Sequence, residues 1–211
     1  TAELAELAAR LIRVEYEPLP GLYSTAEAEN NETIVTADYP GNVVAVSKTC
    51  KGDVEEGFAH SDVIVDTCYR TQFVEHAYIE PEAIVAVPGF EGKKLTIYGS
   101  LQNPFMVRTS VCRSLNLPMA KVSVVQSALG GTFGGKLESV EPLAVRAGLI
   151  ALRTGRPVRY VLTREESIRE SYKRHPFQFH IRLGAKADGT LQALQTEAVA
   201  DSGAYANWAC G

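Results

Sequence analysis

The sequence predicts an α+β fold made of mixed sheets with a few helices. Segments that resemble strands outnumber segments that resemble helices, and the two kinds do not alternate regularly, as they would in a doubly wound sheet. The 211 residues are 45% hydrophobic and 22% charged, which is typical of a globular protein with a sizeable core.

The first part of the chain combines one helix with a long polar connection. Residues 2–11 carry leucine and alanine at helical spacing, which predicts a short amphipathic helix. Residues 12–17 alternate like a strand and stop at Pro18. Residues 18–41 are rich in turn-forming and small polar residues, and we interpret them as a connection between two domains.

Strands dominate from residue 42 onward. Asn103 followed by Pro104 predicts a helix start, with a helix to about Leu117, and a second helix is expected at 140–154. Asp188-Gly189 between two strand-like segments predicts a β-hairpin over 177–201. The other strand-like segments lie at 43–48, 62–72, 84–89, 94–100, 121–127 and 158–163.

Composition excludes several functional classes. No apolar stretch is long enough to span a membrane, and the charged residues 1–13 do not resemble a signal peptide. The four cysteines are widely separated and form no C-x-x-C pair, which argues against a local zinc or iron–sulfur site and favours thiols in a reducing cytoplasm. The basic residues at 153–174 lack interleaved aromatic residues, so nucleic-acid binding is not expected.

Charge is distributed unevenly along the chain. Residues 1–105 hold 17 acidic and 7 basic residues, whereas residues 106–211 hold 8 acidic and 14 basic residues. The second half would therefore attract an anionic ligand, unless these charges are mostly solvated helix faces.

The strongest candidate site is the glycine cluster at 130–136, with the sequence GGTFGGK, between a predicted strand and a predicted helix. Four glycines let the backbone adopt positive φ and approach a ligand, exposing several N–H donors. The spacing of Gly130, Gly135 and Lys136 also matches a phosphate-binding P-loop. Because Leu137 stands where that loop needs Ser or Thr, a phosphate-binding NTPase is kept only as an alternative.

Together with its surroundings, this loop resembles the molybdenum hydroxylases, the family of xanthine dehydrogenase and aldehyde oxidase, in their molybdenum-cofactor domain or subunit. The family's glycine motif is similar to GGTFGGK, and nearly the whole chain shares further motifs in the family's order. These motifs are EHAYIEP at 75–81, GSLQNP at 99–104, GRPVRYVLTREE at 155–166 and RHPF at 174–177.

The resemblance implies specific roles for residues of the chain. Gln102 matches the glutamine whose amide hydrogen-bonds an oxo ligand of molybdenum, and Phe133 matches the phenylalanine beside the cofactor. Without the resemblance, Gln102 would be interpreted as a helix-entry residue and Phe133 as core. The implied cofactor-binding set is Gln102, Gly131, Thr132, Phe133 and Gly134. Thr132 replaces a usual glycine, which is tolerable if its φ is negative.

The resemblance also implies the cofactors and the missing parts. The cofactor would be molybdenum–molybdopterin, in its plain or dinucleotide form, with the metal held by dithiolene sulfurs and no direct protein ligand. The family's catalytic glutamate base lies downstream of these residues, so the catalytic residues here are unknown and the isolated segment is expected to be inactive. Iron–sulfur clusters and FAD would lie on other domains or subunits.

Organisation, partners and substrate follow from the same resemblance. We expect residues 1–20 to be the tail of a preceding hammerhead-like α/β domain, 21–41 a linker, and 42–211 the first molybdenum-cofactor-binding domain, incomplete at its C-terminus. A start at Thr1 and an end at Gly211 predict a segment of a longer protein. Partners would be a small-molecule substrate, the iron–sulfur and flavin parts and the rest of the molybdenum subunit, in a cytoplasmic, oligomeric oxidoreductase.

The expected reaction is oxidation of an aldehyde or an N-heterocyclic carbon with water. Leu137 replaces the glutamate that contacts purine in xanthine-oxidising members, which disfavours a purine substrate. A scaffold fragment that shapes a cofactor pocket without completing it is the non-catalytic alternative.

Overall fold

A computed structural model describes residues 1–29, 32–90 and 94–205. The chain divides into two compact units, one formed by Thr1–Tyr69 and Phe177–Gly211 and the other by Arg70–Pro176. Residues 206–211, at the end of the predicted cofactor domain, lie outside the described residues. In the described part, no helix has the length and apolar character needed to cross a bilayer.

The regular elements are helices α1–α6 and strands β1–β7. The helices are α1 (Ala2–Leu11), α2 (Thr25–Glu29), α3 (Val54–Ala59), α4 (Pro104–Leu115), α5 (Glu141–Thr154) and α6 (Arg164–Glu170). The strands are β1 (Val63–Arg70), β2 (Ala83–Pro88), β3 (Leu95–Gly99), β4 (Val122–Gln126), β5 (Val158–Val161), β6 (Phe177–Ala185) and β7 (Leu191–Ala200). Short 3-10 turns cover Pro40–Asn42 and Met119–Lys121.

The first unit is built on a three-stranded sheet with the order β1-β6-β7. β6 and β7 form the predicted antiparallel hairpin, with a register irregularity between Gly184 and Ala185. Helix α3 begins at the N-cap Asp53, whose carboxylate accepts the N–H groups of Glu55 and Glu56. Its buried Phe58 lies under the guanidinium of Arg182, 4.4 Å from the ring centroid.

The second unit is built on a four-stranded mixed sheet with the order β4-β3-β2-β5. β2 is antiparallel to both β3 and β5, and β3 is parallel to β4. Helices α4 and α5 cover the sheet and form the core with it. The fully buried core residues include Ile84, Ala86, Ile97, Val107, Val111, Leu143, Ala144 and Ala147.

Helix α4 shows how the sequence fixes its ends. The side chain of Asn103 accepts the N–H of Met106, and Pro104 occupies the first turn, where its missing N–H costs nothing. Asn116 ends the helix in the left-handed conformation with φ of 52°. The predicted start is therefore confirmed, and the helix ends two residues before the predicted Leu117.

The strand register brings several connecting segments to one edge of the mixed sheet. Gly99 at the end of β3 lies beside both Ile84 of β2 and Gln126 of β4, and Val161 at the end of β5 pairs with Ala83. The segments before β2 and after β3, β4 and β5 therefore meet there, as carboxyl ends of parallel strands do. This edge positions the candidate site.

Two predicted strands are wrong. Residues 12–17 and 43–48 have no regular secondary structure, and Ile12, Tyr16 and Val46 are at least 70% exposed. Alternation alone does not make a strand, because a strand needs a neighbour for its backbone hydrogen bonds. The other predicted strands and all three predicted helices are confirmed, whereas helices α2, α3 and α6 were not predicted.

Candidate functional site

The glycine loop, defined as Gly130–Lys136, has backbone conformations that glycine adopts more readily than other residues. Gly131 and Gly134 have φ of 96° and 91°, and Phe133 between them also has positive φ, at 49°. The N–H of Gly135 donates to the carbonyl of Thr132 at 2.7 Å and closes the turn. Thr132 is not among the residues with positive φ, which explains why a threonine is accepted there.

The other two glycines are needed because the loop packs against the segment Glu75–Glu82, here called the acidic segment. A Cβ on Gly130 would lie 2.5 Å from Cβ of Glu80. A Cβ on Gly135 would lie 2.7 Å from Cε1 of Tyr78. Both distances are shorter than non-bonded carbon atoms tolerate, so close packing accounts for these two glycines without any ligand.

The middle of the loop keeps its hydrogen-bond donors unused. In the described residues, the N–H groups of 131, 132, 133 and 134 donate to no protein acceptor, whereas those of Gly130, Gly135 and Lys136 all do. Four consecutive donors without a protein acceptor are available to an acceptor-rich ligand.

Gln102 is joined to the end of this loop by two hydrogen bonds. Its Oε1 accepts the N–H of Lys136 at 3.1 Å, and its own N–H donates to the carbonyl of Lys136 at 3.1 Å. Because Oε1 is held in this way, the side-chain amide is fixed, and its Nε2 makes no hydrogen bond within the part of the chain described. The structure therefore brings Gln102 and the glycine loop together.

Phe133 carries an exposed ring. The residue is 76% exposed, so the interpretation of Phe133 as core is wrong for this unit. In this structure, the exposed phenylalanine ring gains little stabilising packing that would offset its strained φ.

Lys136 is completely buried, and its amine points into the protein. Nζ lies 2.9 Å from Oε2 of Glu80 and 3.0 Å from Oγ of Ser100, and 4.6 Å from the ring centroid of Tyr78. A P-loop lysine must reach a bound phosphate, whereas this one is already neutralised by a carboxylate. The alternative of a phosphate-binding NTPase built on Gly130–Lys136 is therefore not supported by the geometry.

Glu80 is the acceptor at the centre of this arrangement. Burial raises the pKa of its carboxyl, but the hydrogen bonds from Ser100, Lys136 and the N–H of Gly130 outweigh burial, so the pKa lies below its usual value. Glu80 is therefore ionised at neutral pH and balances the charge of Lys136.

The rest of the acidic segment is held by its own contacts. The hydroxyl of Tyr78 donates to the fully buried Glu82, and burial together with this hydrogen bond raises the pKa of Tyr78 well above its usual value. The guanidinium of Arg164 donates to the carbonyls of Tyr78 and Ile79. Sequence reasoning did not assign Glu80, Ser100 or Lys136 to one cluster, although all three lie within the motifs that carry the resemblance.

Comparison with known proteins identifies the family. A family profile described as a molybdopterin cofactor-binding domain matches residues 35–211. The chain belongs to the molybdenum hydroxylase family. The predicted fold class agrees with this membership, since the similar solved structures are molybdenum hydroxylase subunits.

Individual molybdenum hydroxylases match almost the whole chain. The nicotinate dehydrogenase large molybdopterin subunit of Eubacterium barkeri is 39% identical over 210 residues, which make up 99% of this chain and 48% of that protein. A probable xanthine dehydrogenase subunit of Bacillus subtilis strain 168 is 40% identical over 208 residues, 98% of this chain and 27% of that protein. The chain thus spans about half of the first relative and about a quarter of the second.

A solved molybdenum hydroxylase has the same fold. The crystal structure of quinoline 2-oxidoreductase from Pseudomonas putida 86 matches with a TM-score of 0.86 at 28% identity, covering 99% of this chain and 27% of that chain. A molybdopterin carries ring nitrogen and oxygen acceptors, and the unused N–H groups of residues 131–134 and Nε2 of Gln102 are donors. The described residues therefore fit such a cofactor chemically.

Proposed function

We propose that this chain forms part of the molybdenum–molybdopterin pocket of an enzyme that oxidises an aldehyde or an N-heterocyclic carbon with water. The observation that carries the proposal is the set of four unused loop N–H groups beside the fixed amide of Gln102. When bound, the cofactor supplies the two-electron redox chemistry of this oxidation.

In this proposal, residues of the chain bind and orient the cofactor. The N–H groups of Gly131, Thr132, Phe133 and Gly134 donate to acceptor atoms of the cofactor, and Nε2 of Gln102 donates to a further acceptor. These donors are neutral and already in place, so they orient the group without changing the charge of the site. The ring of Phe133 covers the cofactor and excludes water there.

The remaining parts of the enzyme belong to the same proposal. The base that takes a proton during the reaction lies outside the 211 residues, and iron–sulfur and flavin domains or subunits take the electrons away. We place the complete enzyme in the cytoplasm as an oligomer, and Leu137 disfavours purine as its substrate. The boundaries 1–20, 21–41 and 42–211 for the preceding domain, linker and cofactor domain are part of the proposal.

The test is a pair of substitutions of Gln102 in the complete enzyme. Gln102→Glu keeps an acceptor for the N–H of Lys136 and removes the Nε2 donor, whereas Gln102→Leu removes both. We expect both variants to keep most of their molybdenum and to lose turnover by roughly 10- to 1000-fold, since removing one preorganised donor costs up to about 1000-fold in turnover. Metal analysis and steady-state kinetics provide the measurement.

The two variants separate the donor from the structural hydrogen bond. If Gln102→Glu turned over like wild type while Gln102→Leu lost activity, only the contact with Lys136 would matter and the donor role would be wrong.

A further inference from the structure

We propose that Glu80, Ser100 and Lys136, here called the loop triad, are positioning residues that hold both ends of the glycine loop and Gln102 in register. The inference rests on the proposed function and names residues that the function itself did not assign. The supporting observation is that one carboxylate oxygen, Oε2 of Glu80, joins three segments of the chain through hydrogen bonds.

Oε2 of Glu80 accepts from three donors at once. Nζ of Lys136 lies 2.9 Å away, Oγ of Ser100 lies 2.5 Å away and the N–H of Gly130 lies 2.8 Å away. Gly130 is the first residue of the glycine loop and Lys136 is the last. One oxygen atom therefore fixes both ends of the loop, and the residues with unused N–H groups span the distance between them.

The constraint continues from Lys136 to Gln102. The side chain of Lys136 is held by Glu80 and Ser100, while its main-chain N–H and carbonyl are both bonded to Gln102. A shift of Lys136 would therefore move the side-chain amide of Gln102 and the end of the loop together. Preorganised donors lose their effect when such supporting contacts are loose.

Stability alone is a poor account of this triad. Replacing a buried ion pair with apolar groups is often neutral or stabilising, because the desolvation of the charges offsets their attraction. Lys136 is fully buried, whereas the side chain of Glu80 is 37% exposed, so the lysine carries the larger desolvation cost. We infer that the main role of the triad is to fix the geometry of the glycine loop.

The same unit contains a matched control. Lys173 Nζ lies 2.6 Å from Oε2 of Glu75 and 3.0 Å from Oγ of Ser171, and Ser171 also donates to Glu75 at 3.0 Å. This control triad joins the same acidic segment to the residues after α6. In the described residues, none of its hydrogen bonds or ion pairs involves the glycine loop or Gln102.

The experiment compares the two triads in the complete enzyme. Lys136→Met and Ser100→Ala disrupt the loop triad, while Lys173→Met and Ser171→Ala make the same changes in the control triad. Ser100→Ala is the milder change and keeps the test informative if Lys136→Met fails to fold. Each purified enzyme is measured for molybdenum and pterin content, for the rate of cofactor loss on dilution, and for hydrogen exchange of peptides covering 127–136.

We expect the loop-triad variants to lose cofactor about 10- to 100-fold faster than wild type, by analogy with the loss of affinity when the hydrogen-bond partner of a metal ligand is removed. Hydrogen exchange in their glycine loops should be faster than in wild type. The control variants should match wild type in cofactor loss and in loop exchange when loop-triad and control variants of comparable melting temperature are compared. Equal cofactor loss and equal loop exchange in the two sets of variants would overturn the inference.

Failure of the inference and failure of the proposed function give different results. A complete wild-type enzyme without molybdenum or pterin would contradict the proposed function. Hydrogen exchange of the loop alone would then test whether the triad holds the loop, because this measurement does not require bound cofactor.

Discussion

Phe133 combines local backbone strain with an exposed aromatic ring. Its φ of 49° lies in the left-handed region, which costs an L-residue about 1–2 kcal/mol, and its ring is 76% exposed. Residues held in such conformations cluster at ligand-binding sites, where the surrounding structure over-determines them. The strain and the exposed ring therefore agree with a binding role for Phe133.

Substitution of Phe133 separates strain from burial. We expect Phe133→Gly to be more stable than Phe133→Ala by about 1 kcal/mol, because glycine adopts positive φ without steric cost. Phe133→Ala itself should change the free energy of unfolding by less than the roughly 3–5 kcal/mol typical of a core phenylalanine. Urea titrations of the three proteins provide these energies.

In the complete enzyme, both substitutions should lower cofactor content or turnover. A destabilisation of several kcal/mol in Phe133→Ala with normal cofactor content would show that the ring is packed and does not bind.

Helix α6 is the element whose formation depends most clearly on its cap. The hydroxyl of Thr163 accepts the N–H of Glu166, and the carboxylate of Glu166 accepts the N–H of Thr163, which together form a capping box. A helix of seven residues is too short to be stable alone, so the cap and tertiary contacts such as those of Arg164 decide its formation.

Removal of this cap should destabilise the unit measurably. We expect Thr163→Ala to lower the free energy of unfolding by about 1 kcal/mol, since one helix N–H loses its acceptor. Thr163→Ser keeps the hydroxyl and serves as the control, with an expected change of a few tenths of a kcal/mol. Equal stabilities for the alanine and serine variants in urea titration would show that the capping hydrogen bond does not contribute.

The elements also show where sequence patterns succeed. Pro104 after Asn103 predicted the start of α4, and Asp188-Gly189 predicted the hairpin of β6 and β7, because capping and turn residues act on their immediate neighbours. The pattern T-x-x-E at Thr163 is an equally local signal, and it would have located α6. Residues 12–17 and 43–48 have the alternation of a strand but no regular secondary structure, because alternation along one segment does not provide the neighbouring strand that a sheet requires.

At the scale of the whole molecule, the chain corresponds to only part of the length of its relatives. It spans 48% of one relative and 27% of another. In the proposed function, the catalytic base lies outside these 211 residues. Without the other parts of the enzyme that the proposed function requires, the loop donors are open to water, which weakens every electrostatic interaction in the site.

We therefore expect purified residues 1–211 to be inactive as a hydroxylase. With molybdenum cofactor added, the chain should reduce no redox dye in the presence of aldehydes or N-heterocycles, while the complete enzyme assayed in parallel should do so. Dye reduction by the isolated chain above the rate of a cofactor-only control would contradict this expectation.

The sequence by itself determined the fold class, the presence of the two long helices and the position of the glycine loop. Each of these depends on residues close together in the chain, such as Gly131 and Gly134, whose φ values are set within one turn. The motifs also sufficed for the family, which a family profile over residues 35–211 confirmed.

Only the tertiary structure decided what the loop packs on and what Lys136 does. Glu80 is 50 residues from Gly130 and 56 from Lys136, and these contacts exist because the register of β2, β3 and β4 brings their connections to one edge. Leu137 argued against a phosphate-binding loop, but no local pattern showed that Lys136 is buried on a carboxylate. The position of Lys136 depends on the acidic segment that packs against the loop, and the strand order of the sheet brings that segment there.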